Sequence, residues 1–233
     1  MNFRHELKYI INYADYALLR MRLKTLMKRD RHVNGDGIYT VRSLYFDDYH
    51  NAAYHEKYAG LAERQKYRIR LYNYSNEIIN LERKIKRDRY VQKQSARLTP
   101  AQVCEILMGN YDCLRECDDP LHLVFYHECR SNLMRPRLIV DYEREPFVYE
   151  AGSVRITFDQ HLRAGMDGWD IFNDKMATVE LLEPSFLIME VKYGHFLPSI
   201  IQQMLPRRST EFSAVSKYVL GCDKTLYKRM FDN

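Results

Sequence analysis

Residues 63–74 and 78–90 are two long runs in which charged and apolar side chains alternate, and a period of two admits little besides β-strands. In the first run Lys66, Arg68 and Arg70 share one face, while Tyr67, Ile69 and Leu71 share the other. In the second, Glu82, Lys84 and Lys86 align against Leu81, Arg83 and Ile85. Joined across Ser75 and Asn76, the runs read as an antiparallel hairpin with one basic face.

The rest of the chain supplies compatible elements. Residues 3–11 suit a strand, and 13–27 a helix with Leu19, Leu23 and Leu26 on one side. Gly35 and Gly37 mark a turn before a strand at 40–46 and a short helix at 49–58. Thr99-Pro-Ala-Gln102 has the form of a capping box with proline at the first helical position, so a helix starts there. Another covers 120–130. Strands follow at 137–142, 147–149, 153–158, 178–182 and 185–193, with helices near 198–205 and 213–220. This order predicts an α+β fold: an antiparallel β-barrel with peripheral helices, forming a single domain over residues 1–233.

Composition excludes several classes. With 46% hydrophobic and 13% aromatic residues the chain folds rather than staying disordered. No apolar run is long enough to span a bilayer, and the first ten residues lack the apolar core of a signal peptide. The expectation is a cytoplasmic protein with no membrane segment. The five cysteines form no CxxC pair and the eight histidines no HExxH pattern. A P-loop and a GxSxG serine elbow are also missing from the sequence. The net charge of +5 is modest, so where the charges sit matters more than their sum.

The pattern of charged strand faces recurs. Arg155, Thr157 and Asp159 line up, as do Tyr142 with Arg144 and Glu190 with Lys192. One such strand is ordinarily a solvated sheet face. Several of them, two with a carboxylate beside lysine (Glu82 with Lys84, Glu190 with Lys192), suit a metal-bound polyphosphate instead. Mg²⁺ or Mn²⁺ takes one or two carboxylates plus phosphate oxygens. Phosphoryl transfer asks mainly for alignment and for cations that stabilise the transferring group.

Seven blocks occur in order: Arg4-His-Glu-Leu-Lys8-Tyr, Ser43-Leu-Tyr-Phe-Asp47, Lys66-Tyr-Arg68-Ile-Arg70, Leu81-Glu-Arg-Lys84, Val154-Arg-Ile-Thr-Phe-Asp159, Met189-Glu-Val-Lys192-Tyr and Phe212-Ser-Ala-Val-Ser-Lys217-Tyr. The ordered set resembles the VTC domain, the polyphosphate polymerase domain of the vacuolar transporter chaperone family, in a stand-alone bacterial form. That family sits within the triphosphate tunnel metalloenzymes. The resemblance implies a barrel with a basic lumen, in which the γ-phosphate of ATP passes to a growing polyphosphate chain with a divalent metal, usually Mn²⁺. By motif position the lumen residues are Lys8, Arg68, Arg70, Lys84, Arg144, Arg155, Lys192 and Lys217. The resemblance further implies that Glu190 holds the metal, with Glu82 as a second carboxylate, and that Arg42, Lys66, Lys86 and Tyr45 contribute further contacts.

The hydrolase and cyclase relatives of that fold open with ExExK, whereas the first acidic position here is Arg4. Inorganic or nucleoside and RNA triphosphate hydrolysis on the same fold is the second reading, and a non-catalytic module binding polyphosphate or nucleic acid the third. Nineteen tyrosines among basic strands could serve single-stranded nucleic acid. Tyrosine is also a good strand former, and no nucleic-acid partner is expected. The sequence leaves the oligomeric state open.

Overall fold

A computed structural model of the chain describes residues 5–30, 37–87, 90–166, 168–206 and 215–231, with side chains as far as residue 225 in the last segment. Arg4, His32, Gly35 and residues 212–214 of the last motif lie outside these ranges. The strands are β1 (His5–Asn12), β2 (Lys28–Arg29), β3 (Tyr39–Asp47), β4 (Glu63–Tyr72), β5 (Ser75–Arg87), β6 (Tyr90–Leu98), β7 (Arg135–Tyr149), β8 (Val154–Gly165), β9 (Thr178–Glu180) and β10 (Phe186–Tyr193). The helices are α1 (Tyr13–Leu26), α2 (Ala52–Tyr58), α3 (Pro100–Leu107), α4 (Pro120–Ser131), α5 (Ser199–Met204) and α6 (Lys217–Phe231). Among the described residues, no helix is long and apolar enough to cross a membrane.

The hydrogen-bonded path of the sheet runs β1-β10-β8-β7-β3-β4-β5-β6, with β2 on β7 and β9 on β8. The fold is α+β on an antiparallel sheet, as expected. Among the described residues this hydrogen-bonded path has two ends, β1 and β6.

The chain divides into two compact units. The first comprises Met1–Thr40, Tyr142–Leu162 and Glu180–Val215. Its core gathers Tyr9 and Ile11 of β1, Leu19 and Leu23 of α1, Ile156 and Phe158 of β8, and Met189 and Val191 of β10. Asn12 starts α1 by accepting the backbone N–H of Asp15 on its side chain. The core face of this unit also holds a carboxylate. Glu145 is fully buried, accepting from the Tyr16 hydroxyl at 2.7 Å and from Arg20 at 2.9 Å.

The second unit comprises Val41–Asp141, Arg163–Val179 and Ser216–Asn233. Tyr67, Ile69 and Leu71 of β4 and Leu81 of β5 are buried against Phe46, Val103, Ile106 and Phe125. That is the packed side assigned to them by alternation. Thr99 and Gln102 form the reciprocal capping box that starts α3.

Several elements differ from expectation: β2 was not expected, β8 continues from the expected 153–158 to Gly165, and the last helix, expected at 213–220, is Lys217–Phe231. The hairpin turns at Asn73 and Tyr74, both with positive φ (50° and 56°), and Ser75 already pairs with Tyr72 in the ladder. Asparagine tolerates that region but tyrosine has no preference for it, so no turn signal was present. The strand expected in two pieces is one fifteen-residue β7. Glu143 and Glu145 interrupt its apolar pattern, yet Glu145 is paired on the core side. Finally, β6 was not anticipated, because only Ala96 and Leu98 of its nine residues are buried and both of its faces are otherwise largely polar.

Candidate functional site

In the second unit, register sets one face of β4, β5 and β6. Arg64, Lys66, Arg68 and Arg70 stand opposite Lys86, Lys84, Glu82 and Asn80, which in turn face Val91, Lys93, Ser95 and Arg97. The single carboxylate among them, Glu82, is 1% exposed and organises the rest. Arg68 donates to its Oε2 through Nε at 2.8 Å and Nη2 at 2.6 Å. Lys93 Nζ lies 2.6 Å from Oε1, and Arg70 Nη1 3.8 Å from Oε2. Burial alone would raise the Glu82 carboxyl, but Arg68, Arg70 and Lys93 together hold it far below the ordinary carboxylate range.

β3 supplies the next row. Arg70 Nε donates to Ser43 Oγ at 3.0 Å, and Arg68 Nη1 to the Tyr45 hydroxyl at 3.1 Å. Burial pushes the Tyr45 phenol up, yet Arg68, Arg70 and Lys217 outweigh it and leave it below its usual value. Lys217 is buried at the start of α6. That helix is anchored by the Tyr218 hydroxyl on Asp47, whose carboxylate also accepts the N–H of Ala53 and Tyr54 in α2. Lys66 Nζ donates to Ser216 Oγ at 3.0 Å and lies 4.9 Å above the Tyr218 ring.

The first unit holds a second cluster, also centred on one buried carboxylate. Glu190 of β10 stands between Lys8 of β1 and Thr157 of β8, and Lys192 between Glu6 and Arg155. Around Glu190 are Lys192 at 3.0 Å, Lys8 at 3.4 Å and Arg144 at 3.5 Å. Lys8 also reaches Glu6 at 3.2 Å and the Val215 carbonyl at 3.2 Å. Arg144 forks onto Asp159 at 2.6 and 2.7 Å. Burial opposes its charge, but Asp159, Tyr142 and Glu190 raise its pKa well above the usual value. Burial draws the Lys192 ammonium down despite Glu190 and Glu6. Arg155 Nη2 meets Asp30 at 2.9 Å and the Tyr39 hydroxyl at 3.2 Å. Among the described residues, two buried donors here have no hydrogen-bond partner: Thr157 Oγ1, directly across from Glu190, and Arg155 Nε.

The two clusters differ in net charge. The face of β4–β6 is overwhelmingly cationic, whereas the Glu190 cluster balances Lys8, Arg144, Arg155 and Lys192 against Glu6, Asp30, Asp159 and Glu190. Among the described residues, no group of three or more His, Cys, Asp or Glu side chains is arranged to hold a metal ion.

Of the residues expected from sequence, Lys8, Arg144, Arg155, Lys192 and Glu190 come together in the first unit. Lys66, Arg68, Arg70, Lys84, Lys86, Glu82, Tyr45 and Lys217 share the second. Arg42 is placed apart. It shares the core face of β3 with Leu44 and Phe46, forks onto Asp141 at 2.8 and 2.7 Å, and donates to the carbonyls of Ile171 and Asn173. Its parity with Leu44 and Phe46 is the signal that separates it from Ser43 and Tyr45. Lys93 and Arg97 were missed with their strand.

No curated protein matches this chain. Among solved structures, it is similar to a Hippeastrum protein named as an adenylyl cyclase and described as having a dominant triphosphatase activity: 11% identity, TM-score 0.49, 88% of this chain and 84% of that one. It is similar too to a Bacillus halodurans protein named as an adenylate cyclase, at 12% identity and TM-score 0.48, covering 87% of this chain and 86% of that one. A Pyrococcus horikoshii protein matches at 15% identity and TM-score 0.44, over 98% and 99% of the two chains. The family model of the VTC domain matches residues 3–226, nearly the full length and every motif block quoted above. This chain belongs to the VTC domain family.

Proposed function

We propose that this chain is a phosphoryl-transfer enzyme of the triphosphate-tunnel kind, a polyphosphate polymerase that moves the γ-phosphoryl group of ATP onto a growing polyphosphate chain. The observation that carries the reading is the pair of buried carboxylates, Glu82 and Glu190, each ringed by three cations on a sheet face. Family membership supports it.

The protein's own part is binding and alignment. Glu82, Ser43 and Tyr45 fix the guanidinium planes of Arg68 and Arg70 before any anion arrives, so their forks are oriented for phosphate oxygens. Lys66, Lys84, Lys86 and Lys217 add point charges; in the other unit Lys8, Lys192, Arg144 and Arg155 do the same. Such cations stabilise negative charge on the transferring phosphoryl. No protein nucleophile is required, because an oxygen of the acceptor chain attacks in line and ADP leaves.

Glu190 is the residue that would hold Mn²⁺ or Mg²⁺. A hard cation of this kind is content with one carboxylate when phosphate oxygens complete its shell. The unengaged hydroxyl of Thr157 across from Glu190 fits that donor set. When bound, the ion would neutralise phosphate charge. Glu82 has Arg68 and Lys93 at 2.6 Å on its two oxygens, closer than the 3.0–3.5 Å of the cations around Glu190, and fits a counter-ion role instead.

Incubation with ATP and Mn²⁺, followed by resolution of ADP, free phosphate and polymer, tests the proposal. ADP should appear with polymer. Free phosphate without polymer would replace this reading with hydrolysis, and no turnover with retained polyphosphate binding would leave a binding module.

A further inference from the structure

We infer that Asp47 and Tyr218 are a positioning pair for Lys217: the carboxylate at the end of β3 holds the Tyr218 hydroxyl, and that bond fixes where α6 begins and where the Lys217 ammonium stands. The inference rests on the phosphoryl-transfer reading above and adds to it two residues that act through another. Both are closing residues of motif blocks, Ser43 to Asp47 and Phe212 to Tyr218, and neither has a part in the site so far. They are 171 residues apart in sequence, and the fold joins them. By alternation Asp47 shares a strand face with Ser43 and Tyr45, the row that meets Arg70 and Arg68.

Asp47 is 3% exposed, and both of its oxygens are engaged. Oδ1 accepts the backbone N–H of Asp48 at 3.0 Å and that of Ala53 at 2.9 Å. Oδ2 accepts the N–H of Tyr54 at 3.2 Å and the hydroxyl of Tyr218. Four donors match the lone-pair sites of one carboxylate, so its orientation is set by the protein. The Tyr218 hydroxyl is therefore held by an acceptor that cannot turn away.

The start of α6 needs such a hold. The first N–H groups of a helix have no partner inside it, and helix ends fray. Ser216 accepts the N–H of Val219 on its side chain, but at 3.4 Å. Tyr218, by contrast, is 1% exposed, with its ring 5.3 Å from that of Tyr45. Lys217 lies between these two anchors and is itself buried. Its charge acts on the Tyr45 phenol together with Arg68 and Arg70, which puts the ammonium in their company. Lysine has a flexible stem and no fork to aim it, so the place of its backbone decides what it reaches. A second hydroxyl also joins α2 to α6, from Tyr54 to Asp223 at 2.6 Å, but on the exposed side.

A double-substitution cycle tests this, with affinity for tripolyphosphate measured in EDTA. Tyr218→Phe keeps the packed ring and removes only the hydroxyl. It should weaken binding about fivefold, Lys217→Ala about tenfold, and the two together no more than about tenfold, because the hydroxyl acts through the ammonium. Tyr54→Phe, which removes the other hydroxyl between α2 and α6, should change affinity by less than about twofold. With ATP and Mn²⁺, Tyr218→Phe should lower kcat about tenfold and raise KM no more than about fivefold. A merely loosened fold would lower the melting midpoint and leave kcat per folded molecule unchanged. Losses that multiply to about fiftyfold, an unmoved affinity for Tyr218→Phe or Lys217→Ala, an equal loss for Tyr54→Phe, or an unchanged kcat would each overturn the inference. A protein that makes no polymer but shows coupled losses of affinity keeps the pair and loses the polymerase reading. Polymer synthesis with independent losses does the reverse.

Discussion

Arg42 and Arg68 both direct a guanidinium fork at a buried carboxylate, two strands of one ladder apart in role though neighbours in the sheet. Arg42 is the sole cation on Asp141 among the ion pairs of the described residues and is 1% exposed, so Arg42→Ala strands a buried charge. The expected cost is about 3–5 kcal/mol, read as a lower urea midpoint. Arg68→Ala leaves Glu82 with Arg70 and Lys93. It should keep most of the stability and lose polyphosphate affinity; an unmoved midpoint for Arg42→Ala would contradict this division. For Glu190→Gln the expectation is a fall in turnover of about a hundredfold with polyphosphate affinity largely retained, measured as rate and isotherm on one preparation. Most of these side chains were legible from alternation, which placed Tyr67 and Leu81 inward and Arg68 and Lys84 outward. Arg42 was carried along by motif position against its own parity. Asp159 was seen as co-facial with Arg155, but its grip on Arg144 depends on where β7 and β8 pair, which spacing along one strand cannot show.

At the level of elements, strong local chemistry was readable and weak local chemistry was not. The capping box at Thr99 needs only four consecutive residues, and α3 begins where it says. Thr99→Ala should therefore cost about 1 kcal/mol in urea unfolding, and Thr99→Ser much less. β6 has no such signature. Its order comes from pairing with β5 over nine residue pairs, a non-local cause that leaves little trace in its own sequence. The hairpin turn is similar: Tyr74 adopts positive φ while its ring lies 4.5 Å from the Arg42 guanidinium, so tertiary packing sets the turn rather than a glycine.

For the whole molecule, burial of thiols contributes to the loss of stability at alkaline pH, alongside Tyr16, Tyr67 and Tyr218, whose phenols burial also pushes up. Cys129 is pushed up to about 12 and Cys222 to about 11, in both cases first by burial. Unfolded thiols lose their protons nearer the ordinary 9.0, so above that pH the unfolded chain binds fewer protons than the folded one. Stability is then fully present below about pH 9 and falls as pH rises towards 11–12. Thermal unfolding at pH 7.5 and 10.5 should show the loss; Cys129→Ala/Cys222→Ala should lessen the difference between the two pH values, even if it lowers both midpoints.

Glu82 has a consequence for time as well as for place. If the proposed function holds, a phosphate arriving over Arg68 and Arg70 finds them already occupied by a carboxylate that stays tethered beside them. It must compete with this internal rival to gain the guanidinium groups, and on leaving it is replaced at once, without the cations facing one another bare. Binding becomes an exchange of partners with a low step between successive states. A long polymer held this way can slip by one phosphate at a time, where a ring of unopposed cations would clamp it still.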